Sequence, residues 1–498
     1  MSSVRRTALI AAAVVFAIHL VANPHYGFFR DELYFIICGM HPQLGYVDQP
    51  PVVPLLAAFT QLFGHSLVLL RAVPALFAAG GAYVTVMLAA ELGGGPFAQV
   101  FAAIAFLSAP VLLSFGMKVS TDEVGLWTWP LMVLLAVRLI KGADPRTWLV
   151  LGAVAGLSFE SKYSVLFFLA ALVGGLLLVP QRSIVLNRWF AAACGIALLI
   201  ALPNFIWQAQ NGFPMIELLR AGQNGKNEIA GPGLFLLQEL LITGGVLSLV
   251  WIAGLAWLCA NARFRFLAFT YVLLIAMMIV LHGKHYYPAN IYPALFAAGA
   301  VAVEGWTSHV RVLRPIAVAV PVLFAIPLVP LALPVLSETQ FVAWVKAFHL
   351  PVGAGETEPG RDSGSLPGDW ADMHGWENFA ATVQRVYAAL PADQRAKAVA
   401  KTSNYGEAAA IAFFAPGVPV ISGHNQYYLW GTRGYDGDVL IDVHGDCGAS
   451  LHLFRATRLA ATIRDRWAIH YENNVPVMVC TGIKQPLQAL WPGVKDYE

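Results

Sequence analysis

The sequence predicts a polytopic α-helical membrane protein of about eleven transmembrane helices followed by a C-terminal extracytoplasmic α/β domain. Three observations carry that class. Only 12% of the 498 residues are Asp, Glu, Lys or Arg while 58% are hydrophobic, against roughly a quarter charged in a soluble domain. Apolar runs of membrane-spanning length recur up to residue 336 and then stop. Beyond that point Gly, Asp and Glu rise, and short helix-like and strand-like segments alternate. A mean hydropathy of +0.64 excludes an ordinary soluble globular chain. The balance of 31 basic against 29 acidic residues gives no basis for nucleic-acid binding, so charge has to be read loop by loop. Five cysteines (Cys38, Cys194, Cys259, Cys447, Cys480) show neither CxxC nor the Cys/His spacing of a structural zinc site.

Residues 1–6 are short and basic, and 7–22 are apolar with no small-x-small cleavage site, which reads as an uncleaved first helix. Further spans are predicted near 71–91, 97–117, 122–141, 146–160, 163–180, 188–207, 233–260, 265–281, 287–305 and 313–336. The run 148–180 is too long for one span and divides at Glu160, Ser161 and Lys162, polar residues suited to an interfacial turn. With the N-terminus inside, the cytoplasmic turns carry Arg5 and Arg6, Lys141 and Arg146, Arg182 and Arg188, Arg263 and Arg265, and Arg311 and Arg314. Only the turn 93–96 lacks cations, so the pattern follows the positive-inside rule. Loops 23–70 and 208–232 and the tail then lie outside, giving a transmembrane domain at 1–336 and a soluble domain at 337–498. After a linker at 353–369, the tail predicts a helix at 376–390, strands at 398–402 and 418–422 around a helix at 407–414, a strand at 439–443, a helix at 453–466 and a strand at 475–480. Such alternation suggests parallel strands. No internal repeat is evident, and the compartment permits a disulfide between Cys447 and Cys480.

The first outer loop concentrates Arg30, Asp31, Glu32, His41 and Asp48 among aromatic residues. Adjacent carboxylates at a water–lipid interface are poorly explained by packing, because apolar surroundings penalise the charged form. One of them could serve as general base toward a hydroxyl or amine. The plainer alternative is a pair of solvated acids opening an interfacial helix, where the N-terminal dipole favours them. Pro50-Pro51, after Asp48-Gln49, leads an extended segment into 52–63, too short to span and suited to lie along the interface, before Gly64 and Arg71.

This combination resembles the GT-C glycosyltransferases, in the branch that contains protein O-mannosyltransferases and lipid A aminoarabinose transferases. The resemblance continues in chain order. Residues 118–123 (KVSTDE) resemble the second acidic site, and Glu160-Ser161-Lys162-Tyr163 the Gly-Leu-x-x-x-x-Lys-Tyr segment. Residues 282–288 (HGKHYYP), with Tyr292-Pro293, resemble the Lys-x-x-Tyr-x-x-Pro segment, and 376–390 and 403–430 resemble bacterial soluble tails. The resemblance implies a multi-pass enzyme of the bacterial inner membrane, N-terminus cytoplasmic and tail periplasmic or extracellular. Its implied activity moves a hexose or pentose from a polyprenyl-phosphate donor to a lipid, glycan or protein acceptor, with inversion. Asp31, Glu32 and Asp122 become the implied catalytic residues, Asp31 as base or acceptor-orienting group and the other two shaping the donor or metal pocket. Asp48, Gln49, Lys162, Tyr163, Lys284, His285, Tyr286 and Arg220 become the implied donor-binding set. Asp48-Gln49 departs from the Glu-Lys that precedes Pro-Pro in the aminoarabinose branch, which argues against carrying over that branch's lysine contact to phosphate or its acceptor.

The residues support the same chemistry on physical grounds. Transfer releases polyprenyl phosphate, so cations are needed at headgroup depth, where they stabilise the departing phosphate as charge develops. Lys162, Lys284 and His285 fall there, with Lys118, Arg220 and Lys226 in reserve; for Lys118 and Lys226 snorkelling is the competing reading. Asp31, Asp48, His282 and His285 could hold a divalent ion, zinc or manganese with imidazole, magnesium with carboxylates and phosphate. In the tail, 422–430 (SGHNQYYLW) follows a strand end. His424, Asn425, Tyr427 and Trp430 there either contact a sugar or acceptor, or form a packing turn against the membrane part. The competing class is a transporter or flippase of lipid-linked sugars, but such proteins commonly show inverted repeats and polar residues at mid-membrane. Here the charges gather at the outer rim. A non-catalytic assembly or sensor protein would leave Asp31/Glu32 and Lys284/His285 unexplained.

Overall fold

A computed structural model describes residues 3–224, 231–350 and 366–497. Among the described residues, five helices are long and apolar enough to cross a membrane: Ser3–Ala22, Leu67–Glu91, Glu123–Ile140, Arg188–Gln210 and Leu313–Ala332. A sixth crossing arises if Pro232–Ile242 and Gly245–Ala260 act together, although they meet at 98°. Every one of the eleven predicted spans is at least partly helical, several of them as apolar helices of 10–17 residues. The segment 97–117 breaks into Pro96–Ser108 and Pro110–Phe115, because Pro110 cannot donate its backbone nitrogen and holds Ala109 in an extended conformation. Thr147–Phe159 and Val165–Leu177 have 13 residues each, a rise of about 20 Å against a hydrocarbon thickness of about 30 Å. Their shared turn at Glu160–Lys162 is where the polar residues predicted one. Small residues let the late helices approach: a Cβ on Gly254 would meet the Leu295 carbonyl, and one on Gly299 the Val250 carbonyl.

The first long loop, 23–70, folds into helices Arg30–Met40 and Val52–Gln61. They cross at Gly39, where any Cβ would run into the Pro54 carbonyl oxygen. Proline at 51 and 54 suits the first turn of the second helix, whose amides have no intrahelical partner there.

The tail carries a five-stranded sheet of β1 (Ala398–Thr402), β2 (Val420–Ser422), β3 (Val439–Val443), β4 (Phe454–Ile463) and β5 (Val475–Ile483), in the order β2-β1-β3-β5-β4. β1 pairs in parallel with β2 and β3, whereas β5 runs antiparallel to both β3 and β4. The sheet is therefore mixed rather than parallel, and 453–466, expected as a helix, contributes strand β4. The physical reason lies in its position. β4 is an edge strand, exposed from Arg455 to Leu459, and a register shift between Leu459 and Ala461 breaks the two-residue alternation that would mark it. A disulfide joins Cys447 to Cys480 across a Cα separation of 5.9 Å.

Helices Trp376–Ala388 and Tyr405–Phe414 cover the sheet on the side that faces the first long loop. Phe28, Leu33, Ile36 and Val53 of the loop share one buried cluster with Phe379, Val383, Ile411, Ile441 and Val477 of the tail. The predicted linker 353–369 lies mostly outside the described residues.

Candidate active site

The amides in the first turn of helix Arg30–Met40 have no intrahelical acceptors and attract anions. Glu32 meets this need by accepting from the Phe29 N–H at 2.8 Å. Its carboxylate also accepts from Arg71 Nε and Nη2 at 3.0 and 2.9 Å and from the Val119 N–H at 3.1 Å. Both side chains of the ion pair are wholly buried. Arg71 spends its other donors on the Asn23 and Gly27 carbonyls at 2.6 and 2.7 Å. Glu32, expected to shape the donor or metal pocket, holds the loop to helix Leu67–Glu91 through these contacts.

Asp31 stands differently. Its Oδ1 accepts from the Tyr405 hydroxyl at 2.8 Å and lies 3.6 Å from Arg30 Nε, while 30% of the side chain stays exposed. Arg30 donates to the Tyr471 hydroxyl at 2.7 Å and stacks over the Tyr405 ring. Gly406 follows because a Cβ there would enter the Arg30 side chain. Asp48, the next acid, accepts from the Tyr34 hydroxyl at 2.9 Å and from Asn425 Nδ2 at 3.3 Å. The Tyr34 and Tyr405 rings lie 4.5 Å apart and connect the two acids. Burial, reinforced by Asp48 for Tyr34 and by Asp31 for Tyr405, pushes both phenols well above their ordinary range. Both tyrosines therefore remain protonated donors.

The segment 422–430 packs against the loop, which favours the second of its two readings. Gln426 Oε1 accepts from the Val47 N–H at 3.1 Å, and the His41 and Trp430 rings are 5.0 Å apart.

A third group assembles from segments far apart in sequence. Lys162 Nζ donates to Asp122 Oδ1 at 2.6 Å and stands 4.7 Å from the Tyr287 ring centre and 5.7 Å from that of Tyr286. Asn290 Nδ2 donates to the Asp122 carbonyl at 3.2 Å. The segments 118–123, 160–163 and 282–288 thus meet in space. This group is tied to the first loop: the Val52 N–H donates to the Glu160 carbonyl at 3.0 Å. Gln208 Nε2 bridges the Tyr46 carbonyl and the Tyr163 hydroxyl at 3.2 and 3.1 Å.

Gln49, Lys284 and His285 are buried, His282 is exposed, and Arg220 lies on an exposed face of helix Pro214–Asn224. Lys226 falls outside the described residues. Lys118 pairs with Asp369 at 2.7 Å and sits 3.7 Å from the Phe29 ring centre, so it is engaged with the tail rather than snorkelling. Among the described residues, no three of Asp31, Asp48, His282 and His285 bring ligand atoms within 4.8 Å of one another. Tyr34 and Tyr471 had no motif to mark them, while Tyr405 and Tyr287 lay within the segments 403–430 and 282–288 without being singled out; the folded chain brings them to Asp48, Arg30, Asp31 and Lys162 respectively.

Residues 48–207, which span Asp48, Asp122 and Lys162, match the dolichyl-phosphate-mannose-protein mannosyltransferase family. Lipid A galacturonosyltransferase RgtD of Rhizobium johnstonii is 28% identical over 186 residues, 37% of this chain, and the chain spans 39% of that relative's length. Crystal structures of ArnT from Cupriavidus metallidurans, bound to undecaprenyl phosphate and in the apo state, share the fold with a TM-score of 0.61. They are 13% and 14% identical and align over 95% of this chain and 99% and 98% of theirs. The similarity is to GT-C glycosyltransferases of the ArnT and protein mannosyltransferase type, as the motifs implied, and the chain is a multi-pass membrane protein with that fold.

Proposed function

We propose that this protein transfers a sugar from a polyprenyl-phosphate donor to an extracytoplasmic acceptor, with inversion, from the outer face of the bacterial inner membrane. The observation that carries the proposal is the Lys162–Asp122 pair beside Tyr286 and Tyr287, tied through Glu160 to the loop that bears Asp31 and Asp48. The fold of ArnT, solved with undecaprenyl phosphate, supports a lipid phosphate as the donor's carrier. RgtD and the mannosyltransferase match support glycosyl transfer.

In this reading the acceptor's hydroxyl or amine attacks the anomeric carbon as its bond to the phosphate oxygen breaks. Asp31 takes the acceptor proton, with Tyr405 fixing one carboxylate oxygen so that the other faces the nucleophile. The departing polyprenyl phosphate gains its negative charge beside Lys162, which stabilises the transition state more than the bound donor. Attack opposite the leaving phosphate inverts the centre. The acceptor is a lipid, a glycan or a protein side chain.

The test uses proteoliposomes with labelled polyprenyl-phosphate sugars, following sugar transfer and release of polyprenyl phosphate in wild type and Asp31→Asn. Release coupled to transfer that disappears in Asp31→Asn supports the proposal. Undiminished activity removes Asp31 from the chemistry, and donor translocation without release assigns the protein to the transporter class.

A further inference from the structure

Three side chains of the tail converge without any part in the site above: Glu407 on helix Tyr405–Phe414, His444 just after β3, and Glu472 just before β5. Glu407 Oε1 lies 2.9 Å from His444 Nδ1, and ligand atoms of all three residues lie within 4.8 Å of one another. The second oxygen of Glu407 accepts from the Ser403 N–H and hydroxyl at 2.8 and 3.0 Å. Glu472 Oε1 accepts from Asn404 Nδ2 at 2.8 Å. Its Oε2 is buried and meets no hydrogen-bond donor, in a side chain only 4% exposed. A buried carboxylate oxygen without a partner is unfavourable, and two carboxylates at this separation repel each other unless a cation or a proton lies between them.

We propose that Glu407, His444 and Glu472 bind a divalent transition-metal ion, zinc or manganese, with its open coordination position on the side where His444 reaches solvent. Two carboxylates and one imidazole form a donor set suited to those ions. Asn404 and Ser403 already supply the outer hydrogen bonds that orient ligating carboxylates. The His444 side chain is 31% exposed, which gives the ion a path from solution. Bound there, the ion would clamp the start of helix Tyr405–Phe414 to both ends of the β3 to β5 connection. Tyr405, which donates to Asp31, lies two residues from Glu407, so the clamp would brace the contact that orients the acid.

The competing occupant is a proton shared by the two carboxyls, both of which burial pushes above the usual carboxylate range. Full-length protein in detergent is stripped with EDTA, dialysed against ZnCl₂ or MnCl₂, and read by mass-spectrometric metal content and thermal midpoint. Wild type, Glu472→Gln and His444→Gln are compared, the last chosen because its partly exposed position leaves the fold intact. The expected result is a metal-dependent rise in the wild-type midpoint, with retention weakened about tenfold or more in both variants. Equal retention by both variants would place the ion elsewhere and overturn the proposal. So would a wild type that neither holds metal nor shifts, with Glu472→Gln raising the metal-free midpoint, because the shared proton would then be the occupant.

Discussion

Asp31 and Glu32 are neighbours in sequence with opposite circumstances. Glu32 accepts from Arg71 and from the Phe29 and Val119 N–H groups, so Glu32→Gln leaves Arg71 buried beside an uncharged partner. Breaking a buried pair from one side costs about 3–5 kcal/mol, and the variant is expected to unfold at a clearly lower temperature, with activity falling in proportion to the folded fraction. Asp31→Asn should change stability by no more than about 0.5 kcal/mol, as expected for a partly exposed position, while abolishing transfer. An unchanged midpoint in Glu32→Gln together with lost turnover would place Glu32 in the reaction after all. At Lys162 the expectation concerns charge development. Lys162→Met should lower kcat by about 10²–10³, more than it raises the KM for the lipid-linked donor, and steady-state kinetics separates the two. These charged residues were legible because ionisable groups are scarce in this chain and conspicuous beside the membrane. The tyrosines that orient Asp31 and Asp48 were not legible, being four-hundredth-residue partners of a loop near residue 30 or ordinary interfacial aromatics among 16 tyrosines.

At the scale of elements, the two helices of the first loop depend on one close approach. Gly39→Ala places a methyl group against the Pro54 carbonyl, which neither backbone can evade without the helices separating. Overpacking of this kind costs about 1–3 kcal/mol. Because Asp31 and Asp48 sit on either side of that crossing, the KM for the donor should rise along with the drop in thermal midpoint. A variant with wild-type midpoint and kinetics would mean that the crossing is not rigid. The same scale explains what sequence periodicity could and could not supply. β1 and β3 were legible to the residue because their alternating or continuous apolar patterns match full burial on a central strand. β4 was not, since an exposed edge strand with a bulge owes its conformation to hydrogen bonds with β5, not to its own pattern. Helix breaks escaped for a related reason: hydropathy registers apolar length, whereas Pro110 and the 98° bend after Ile242 interrupt the helix within an apolar run.

For the whole molecule, the composition change at residue 337 was visible in sequence, but its structural meaning was not. A shift in composition marks where the solvent changes, while the buried cluster runs through both parts. Phe28 packs against Phe413 at 5.2 Å, Asp31 and Asp48 take hydrogen bonds from Tyr405 and Asn425, and Lys118 pairs with Asp369. The tail thus completes the core beneath the first long loop and supplies hydrogen-bond donors to its acids. Residues 1–350 made alone should expose Phe28, Leu33, Ile36 and Val53, aggregate more readily in detergent and show no transfer. Co-expression of 1–350 with 366–498 as separate chains should restore a complex that co-purifies, because the association rests on burial and not on the connecting segment. Size-exclusion chromatography of an affinity-tagged tail reads the outcome. If 1–350 alone is monodisperse with the full-length thermal midpoint, the shared cluster does not stabilise the loop, and the tail's hydrogen bonds to Asp31 and Asp48 must be dispensable for holding the site.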